Sequence, residues 1–294
     1  MITFFSVPKP FEGHISIIQC NAIKSWKKLH PECEIILYGD EKGTKEIAEK
    51  FHLVHIASVQ KNLFGTPTLD FIFNHVQKYA KNDILCYTNS DIIFSTDLMT
   101  AIKKINFPNY LMIGNRINAD IIENIDFEND MYESKMKEIV SNRNTQNREG
   151  IDYFIFRRGI YTNIPPFAVG RGGWDNWFVC NSRKLNYPVI DASEVVTAVH
   201  QNHSYNHVPQ KSGPKFGGPE TENNMKIGGG RRIYFCNLND TDWILTHNGL
   251  TKRKLSFQLI FRKLIIVSPK ILHPFLELIF YLQHVLRYRK LDFL

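Results

Sequence analysis

Short apolar runs alternate with amphipathic stretches through the first 114 residues of this chain, and that rhythm restricts its fold more than any other feature. Residues 2–8 read as a strand that stops at a proline. A Gly13-His14 turn leads into a helical stretch to about Leu29, with Ile15, Ile18, Ala22, Ile23 and Trp26 along one side. Glu34–Tyr38 reads as a second strand ended by Gly39-Asp40, Thr44–Phe51 as a short helix and Leu53–Val59 as a third strand. Gly65-Thr66-Pro67-Thr68 is expected to open a helix running to about Ala80, with proline near its first turn. Ile84–Tyr87, a helix from Asp97 to about Ile105 and Leu111–Gly114 continue the pattern. Strands separated by helices at this pitch pair in parallel through right-handed crossovers, so the expected class is α/β with a mainly parallel central sheet flanked by helices.

Further on the rhythm changes. Residues 115–150 are polar and read as an insertion or a lid. Asp152–Phe156 returns to strand-like composition, and residues 204–232, rich in Gly, Pro, Asn and Lys, read as a long loop. A chain of 294 residues suits one α/β domain with extensions, placed here at 1–250 with halves at 1–114 and 151–250. Five cysteines, odd in number and without C-x-x-C spacing, point to reduced thiols in a cytoplasmic setting and away from a structural zinc site.

The charge is uneven. Of the 36 Lys and Arg residues nine lie in 251–294, against two of the 29 acidic ones, so this tail carries the whole net charge of +7. Leu255–Val267 and Pro274–Leu286 read as two apolar-rich helices. Two readings stay open: packing on the domain or on a second subunit as a homodimer contact, and in-plane contact with an anionic membrane. The rest of the chain is neutral and shows no basic stripe, which argues against nucleic acid as a partner.

Three segments carry chemistry: Asn89-Ser90-Asp91 after a buried-strand run, Gly170-Arg171-Gly172-Gly173-Trp174-Asp175-Asn176-Trp177, and His200-Gln201-Asn202-His203 with His207 beyond. A carboxylate at the C-terminal end of an interior strand sits where open α/β sheets bind ligands. His200 follows the apolar run Val195–Val199 and is expected to emerge at a strand end. Each segment also has a plain structural explanation: an Asx turn, a helix start and a core histidine.

In this order, behind the alternating half, the segments resemble the GT-A glycosyltransferases over about residues 1–247. The resemblance implies a nucleotide-diphosphate sugar as donor, a glycan or lipid-linked acceptor, and Mn²⁺ or Mg²⁺ as cofactor. It places Asp91 at the last position of the family's D-x-D motif as a metal ligand. Asn89 stands at the first, where it or Ser90 would bond ribose or sugar. His200 or His203 would complete the metal shell. Asp175 would be the general base of an inverting reaction, beside acceptor-side Arg171, Gly172, Gly173 and Trp174, with Trp174 or Trp177 offering a face for a sugar ring. Val7, Pro8, Lys9 and Asp40 would line the nucleotide, and Gly65 and Thr66 would offer amides to ribose or phosphate; Arg231-Arg232 reads equally as a clamp on the diphosphate and as a solvated basic pair. Two rivals remain: a nucleotidyltransferase of similar fold and a catalytically degenerate sugar-nucleotide-binding module. No G-x-x-x-x-G-K-[ST] or G-x-G-x-x-G follows the first strand.

Overall fold

The computed structural model describes residues 1–129, 131–141, 150–203, 217–230, 233, 236–254, 260, 274, 275 and 278. In chain order the first half comprises β1 (Ile2–Ser6), α1 (Gly13–Leu29), β2 (Glu34–Tyr38), α2 (Thr44–Phe51), β3 (Val54–Ile56), α3 (Leu69–Tyr79), β4 (Ile84–Thr88), β5 (Ile92–Phe94), α4 (Asp97–Lys103) and β6 (Leu111–Ile113). There follow β7 (Ile117–Ala119), α5 (Met131–Ser141), β8 (Tyr153–Arg157), α6 (Trp174–Lys184), β9 (Val189–Asp191), β10 (Ala198–Gln201), α7 (Pro219–Gly228), β11 (Trp243–Thr246) and β12 (Gly249–Lys252).

Among the described residues nine strands form one sheet in the order β12-β11-β9-β6-β8-β4-β1-β2-β3. The β3-β2-β1-β4 side is parallel, as are β6-β9 and β9-β11. β8 runs antiparallel to both β4 and β6, and β12 closes a hairpin on β11. The chain is therefore α/β with a large, mostly parallel central sheet flanked by helices.

Helices cover both faces, which is why β1, β4 and β8 are buried almost throughout and carry mainly apolar residues. Side chains alternate across the sheet. Phe5, Tyr87, Phe154 and Phe156 pack on one side with Phe73 and Phe178, while Phe4, Cys86, Tyr153 and Ile155 pack on the other with Trp26 and Phe94. Trp26 stacks on Phe4 with ring centroids 5.5 Å apart, and its Nε1–H donates to the Ile92 carbonyl at 2.8 Å. That bond ties α1 to a second, smaller sheet, β5-β10-β7, in which β10 is antiparallel to β5 and parallel to β7.

Several expectations are corrected. The helix expected from Gly65 starts at Leu69, because residues 62–66 close a turn around the Asn62 side chain. The polar stretch 115–150 is not a bare lid. It contributes β7 and α5, and Ile121, Ile125, Phe127, Tyr132 and Met136 bury a small core with Ile93 and Val199. Part of the expected loop 204–232 is the helix α7. β12 carries the sheet to Lys252, and Arg253 bonds Asp191 at 2.8 Å, so the folded part reaches past 250. Nearly all of the two expected tail helices lies outside the described residues.

The expectation of reduced thiols is also corrected. Cys180 on α6 and Cys236 are joined in a disulfide with Cα atoms 5.4 Å apart, while Cys20, Cys33 and Cys86 are free. Residues 56 apart in sequence carry no spacing signal, so only the fold brings them together. The pairing removes part of the ground for a reducing compartment.

Candidate active site at the strand ends

β4 stops at Thr88, whose carbonyl accepts from Ser6 Oγ at 2.6 Å, and the Asn89-Ser90-Asp91 turn begins there. Gln19, buried on α1, fixes this turn against the end of β1. Its Oε1 accepts from the Lys9 N–H at 2.7 Å and from Ser90 Oγ at 2.8 Å, and its Nε2 donates to the Lys9 carbonyl at 2.8 Å. Gln201 holds the other side, its backbone N–H and its side-chain Nε2 both donating to the Asp91 carbonyl, at 3.2 and 3.1 Å. The turn that carries Asp91 is thus held by hydrogen bonds on two sides.

The structure brings Asp91, His200, His203 and Lys9 together. Asp91 Oδ2 lies 3.0 Å from His203 Nε2, 3.8 Å from His200 Nε2 and 3.6 Å from Lys9 Nζ, which is itself 3.0 Å from His203 Nε2. One ligand atom from each of Asp91, His200 and His203 falls within 4.8 Å of the others. His200 does not emerge at a strand end as expected. It sits inside β10, directly opposite Ile92 of β5, so the ladder delivers it to Asp91. His207 and Arg231-Arg232 lie outside the described residues.

These groups fit a cation. Asp91 Oδ1 and His200 Nδ1 are buried with no hydrogen-bond partner, and such orphaned atoms are costly without a ligand. Burial pushes the Asp91 carboxyl upward, but the His203 hydrogen bond and the Lys9 charge outweigh it and hold the group well below the usual carboxylate range. Burial pushes His200 down, with the Arg116 charge acting in the same sense against Asp91. A histidine neutral near pH 7 adds little charge to Asp91, so Lys9 and the His203 bond are the operative stabilisers. Neutral imidazole plus carboxylate suits Mn²⁺ better than Mg²⁺, which prefers oxygen alone.

Gly173 caps α6 at φ 102°, a left-handed conformation that glycine adopts freely. Asp175 follows in the first turn. The residue is partly exposed, yet its Oδ1 is enclosed and unpartnered. Burial pushes its carboxyl up and the Asp152 charge adds to this, against backbone N–H groups at the helix start.

Other expected residues are placed differently. Trp174 and Trp177 are core residues, 6% and 8% exposed, with Trp174 edge-on to Tyr87, so neither offers a free face to a sugar. Arg171 is buried, its Nε donating to Glu220 at 2.8 Å. Glu220 in turn accepts from Asn62 at 2.7 Å, which links the Gly172-Gly173 segment to the 62–66 turn. Gly65 and Thr66 spend their amides on Asn62, so they have none for a phosphate. Pro8 is buried, Val7 packs on the core, and Asp40 is exposed with Lys61 Nζ 2.6 Å from its Oδ1. Asn89 turns from Asp91 and donates to Asp152 Oδ1 at 2.6 Å.

Asp152, Arg116 and Gln19, which the fold brings beside this turn, carry little signal in the sequence. For Asp152 the available signal was a lone acid directly before the apolar run Tyr153–Phe156.

No protein-family model matches the sequence, and no curated protein does either. Solved structures similar to this chain include three in complex with a nucleotide sugar or UDP. The mannosyltransferase PcManGT from Pyrobaculum calidifontis, solved with GDP-Man and Mn²⁺, is 14% identical, with 70% of this chain and 58% of that one covered at a TM-score of 0.43. A fragment of S. aureus TarS in complex with UDP-GlcNAc is 14% identical, with 80% and 66% covered at 0.49. Glucosyl-3-phosphoglycerate synthase from Mycobacterium tuberculosis, solved with Mg²⁺ and UDP, is 12% identical, with 71% and 74% covered at 0.43. This chain therefore spans less than two thirds of the length of the first two.

Proposed function

We propose that this chain is a GT-A glycosyltransferase that moves a sugar from a nucleoside diphosphate to a hydroxyl of a glycan or lipid-linked acceptor, in surface-glycan or glycoconjugate synthesis. The observation that carries this reading is the Asp91–His200–His203 cluster at the end of β4, with two buried ligand atoms left unpartnered. Asp91, His200 and His203 would hold the ion, Mn²⁺ before Mg²⁺. When bound, it supplies positive charge to the departing diphosphate. The Lys9 ammonium, beside Asp91, would offer a second positive charge to the same oxygens.

Asp175 takes the acceptor's hydroxyl proton. The acceptor oxygen bonds to the anomeric carbon while the bond from that carbon to the β-phosphate oxygen breaks, so configuration inverts and a nucleoside diphosphate leaves. A carboxyl pushed up by burial is a stronger base than a solvated one, which suits this role. Gly172 and Gly173 let an acceptor approach the backbone there.

The test is a panel of UDP-, GDP- and CDP-sugars mixed with the full chain, following nucleoside-diphosphate release with Mn²⁺, Mg²⁺ or EDTA. The expected result is release from one donor class, highest with Mn²⁺. Binding without turnover would favour the degenerate module, and pyrophosphate release from a nucleoside triphosphate and a sugar phosphate would favour the nucleotidyltransferase.

For the basic tail we favour contact with an anionic membrane surface, near a lipid-linked acceptor. No described helix is long and apolar enough to cross a bilayer. Each Lys or Arg near such a surface contributes about 1 kcal/mol, so the tail's charge excess outweighs a shallow apolar contact. The full chain is expected to bind phosphatidylserine liposomes in a salt-sensitive way, and a chain ending at Lys254 to bind them no longer. A truncated chain that precipitates, with a full chain indifferent to liposomes, would assign the tail to packing within the domain or a homodimer.

A further inference from the structure

Asn89 stands where a second carboxylate would complete the donor-side motif, and an amide there leaves the turn short of one negative group. In space the missing group is present. Asp152 is the last residue before β8, and β8 pairs antiparallel with β4 so that Thr88 faces Tyr153. Its carbonyl accepts from the Asn89 N–H at 3.1 Å and from Thr88 Oγ1 at 3.2 Å, which fixes its backbone against the turn. Its Oδ1 accepts from Asn89 Nδ2 at 2.6 Å, and its Oδ2 pairs with an Arg116 guanidinium nitrogen.

Arg116 precedes β7 and is held close. A side chain at Gly150 would come within 3.0 Å of its Nε, and that Nε is buried without a partner. Asp152 itself is 8% exposed. An ionised carboxylate offers about four acceptor positions, so two protein partners leave room for further donors. Its charge acts on both His200 and Asp175, so it lies near the candidate ion cluster and near the proposed base. In a bound nucleotide sugar, the part lying between those two points is the sugar to be transferred.

We propose that Asp152, held by Asn89 and Arg116, is the second carboxylate of the donor site and accepts hydrogen bonds from hydroxyls of the transferred sugar. This deepens the glycosyltransferase reading and rests on it. Asn89 is then a clamp on Asp152, and the pair divides between two strands what one motif position would otherwise carry. Arg116 holds the carboxylate in place from the side opposite Asn89.

The experiment compares binding of the nucleotide sugar favoured by the wild-type chain with binding of the corresponding nucleoside diphosphate, by calorimetry with Mn²⁺ present, in wild type and Asp152→Asn. Loss of hydrogen bonds to a charged acceptor is expected to weaken the nucleotide sugar about tenfold or more while leaving the bare diphosphate unchanged. Equal weakening of both, or of neither, overturns the assignment. A set of monodeoxy donors decides the matter in the wild type alone, should the variant not fold. One of them is expected to bind about tenfold more weakly than its parent, and uniform binding across the set overturns the assignment. A wild type that binds no nucleotide sugar at all instead removes the glycosyltransferase reading beneath it.

Discussion

Asp175→Asn should lower sugar transfer by about 10²- to 10⁴-fold, the usual contribution of a positioned general base, while donor affinity stays close to wild type. The amide keeps the shape of the side chain and its place in the first turn of α6 but cannot accept the acceptor's proton. Burial and the Asp152 charge hold the Asp175 carboxyl above its ordinary range. Below its pKa the group is protonated and unable to act as base, so the wild-type rate should climb with rising pH through a limb displaced upward from that of a solvated carboxylate. Initial rates measured from pH 4 to 8 check both points, and the limb should vanish in Asp175→Asn. A variant that loses donor affinity and rate together would make Asp175 a structural residue. A product of retained anomeric configuration would exclude direct displacement.

The second large effect is expected at Asp91. Asp91→Ala should cost about 10²-fold or more in donor turnover, because the leaving diphosphate loses the group that positions positive charge against it. The variant also leaves Lys9 and His203 without the carboxylate that both now contact. Added Mn²⁺ should raise the thermal midpoint of the wild type and leave that of Asp91→Ala unmoved. Near-normal turnover in a folded Asp91→Ala chain would sink the assignment.

What could be read in advance divides by the range of the interaction responsible. Local periodicity marked most strands and helices through Leu111, because each carries its own apolar face and its own stop signal. Asp91 was legible because a polar turn after a buried strand is a local event. His200 was legible as a residue but not as a strand member, since β10 exists only by pairing with β5 and β7. The roles given to Trp174 and Trp177 fell to packing: aromatic rings beside two glycines suit a sugar and a core equally well, and only Tyr87 and Phe167 show which one took them. Gly65 and Thr66 were misread because Asn62, three and four residues earlier, captures their amides. Asp152 was invisible for the opposite reason. Its partners Asn89 and Arg116 are distant in sequence, and the antiparallel insertion of β8 that joins them leaves no mark on the alternation.

The ladder between β5 and β10 has a consequence for how this chain can vary among its descendants. Ile92, next to Asp91, faces His200 in a fixed register, and a slip of one residue would present Val199 or Gln201 instead and turn every neighbouring side chain to the other face. Loops between the two strands are under no such restriction, since lengthening a connection costs only about 0.6 kcal/mol per doubling. Insertions can therefore accumulate in those loops while Asp91 and His200 keep their places. Within β5 and β10 themselves, a single inserted residue would undo it.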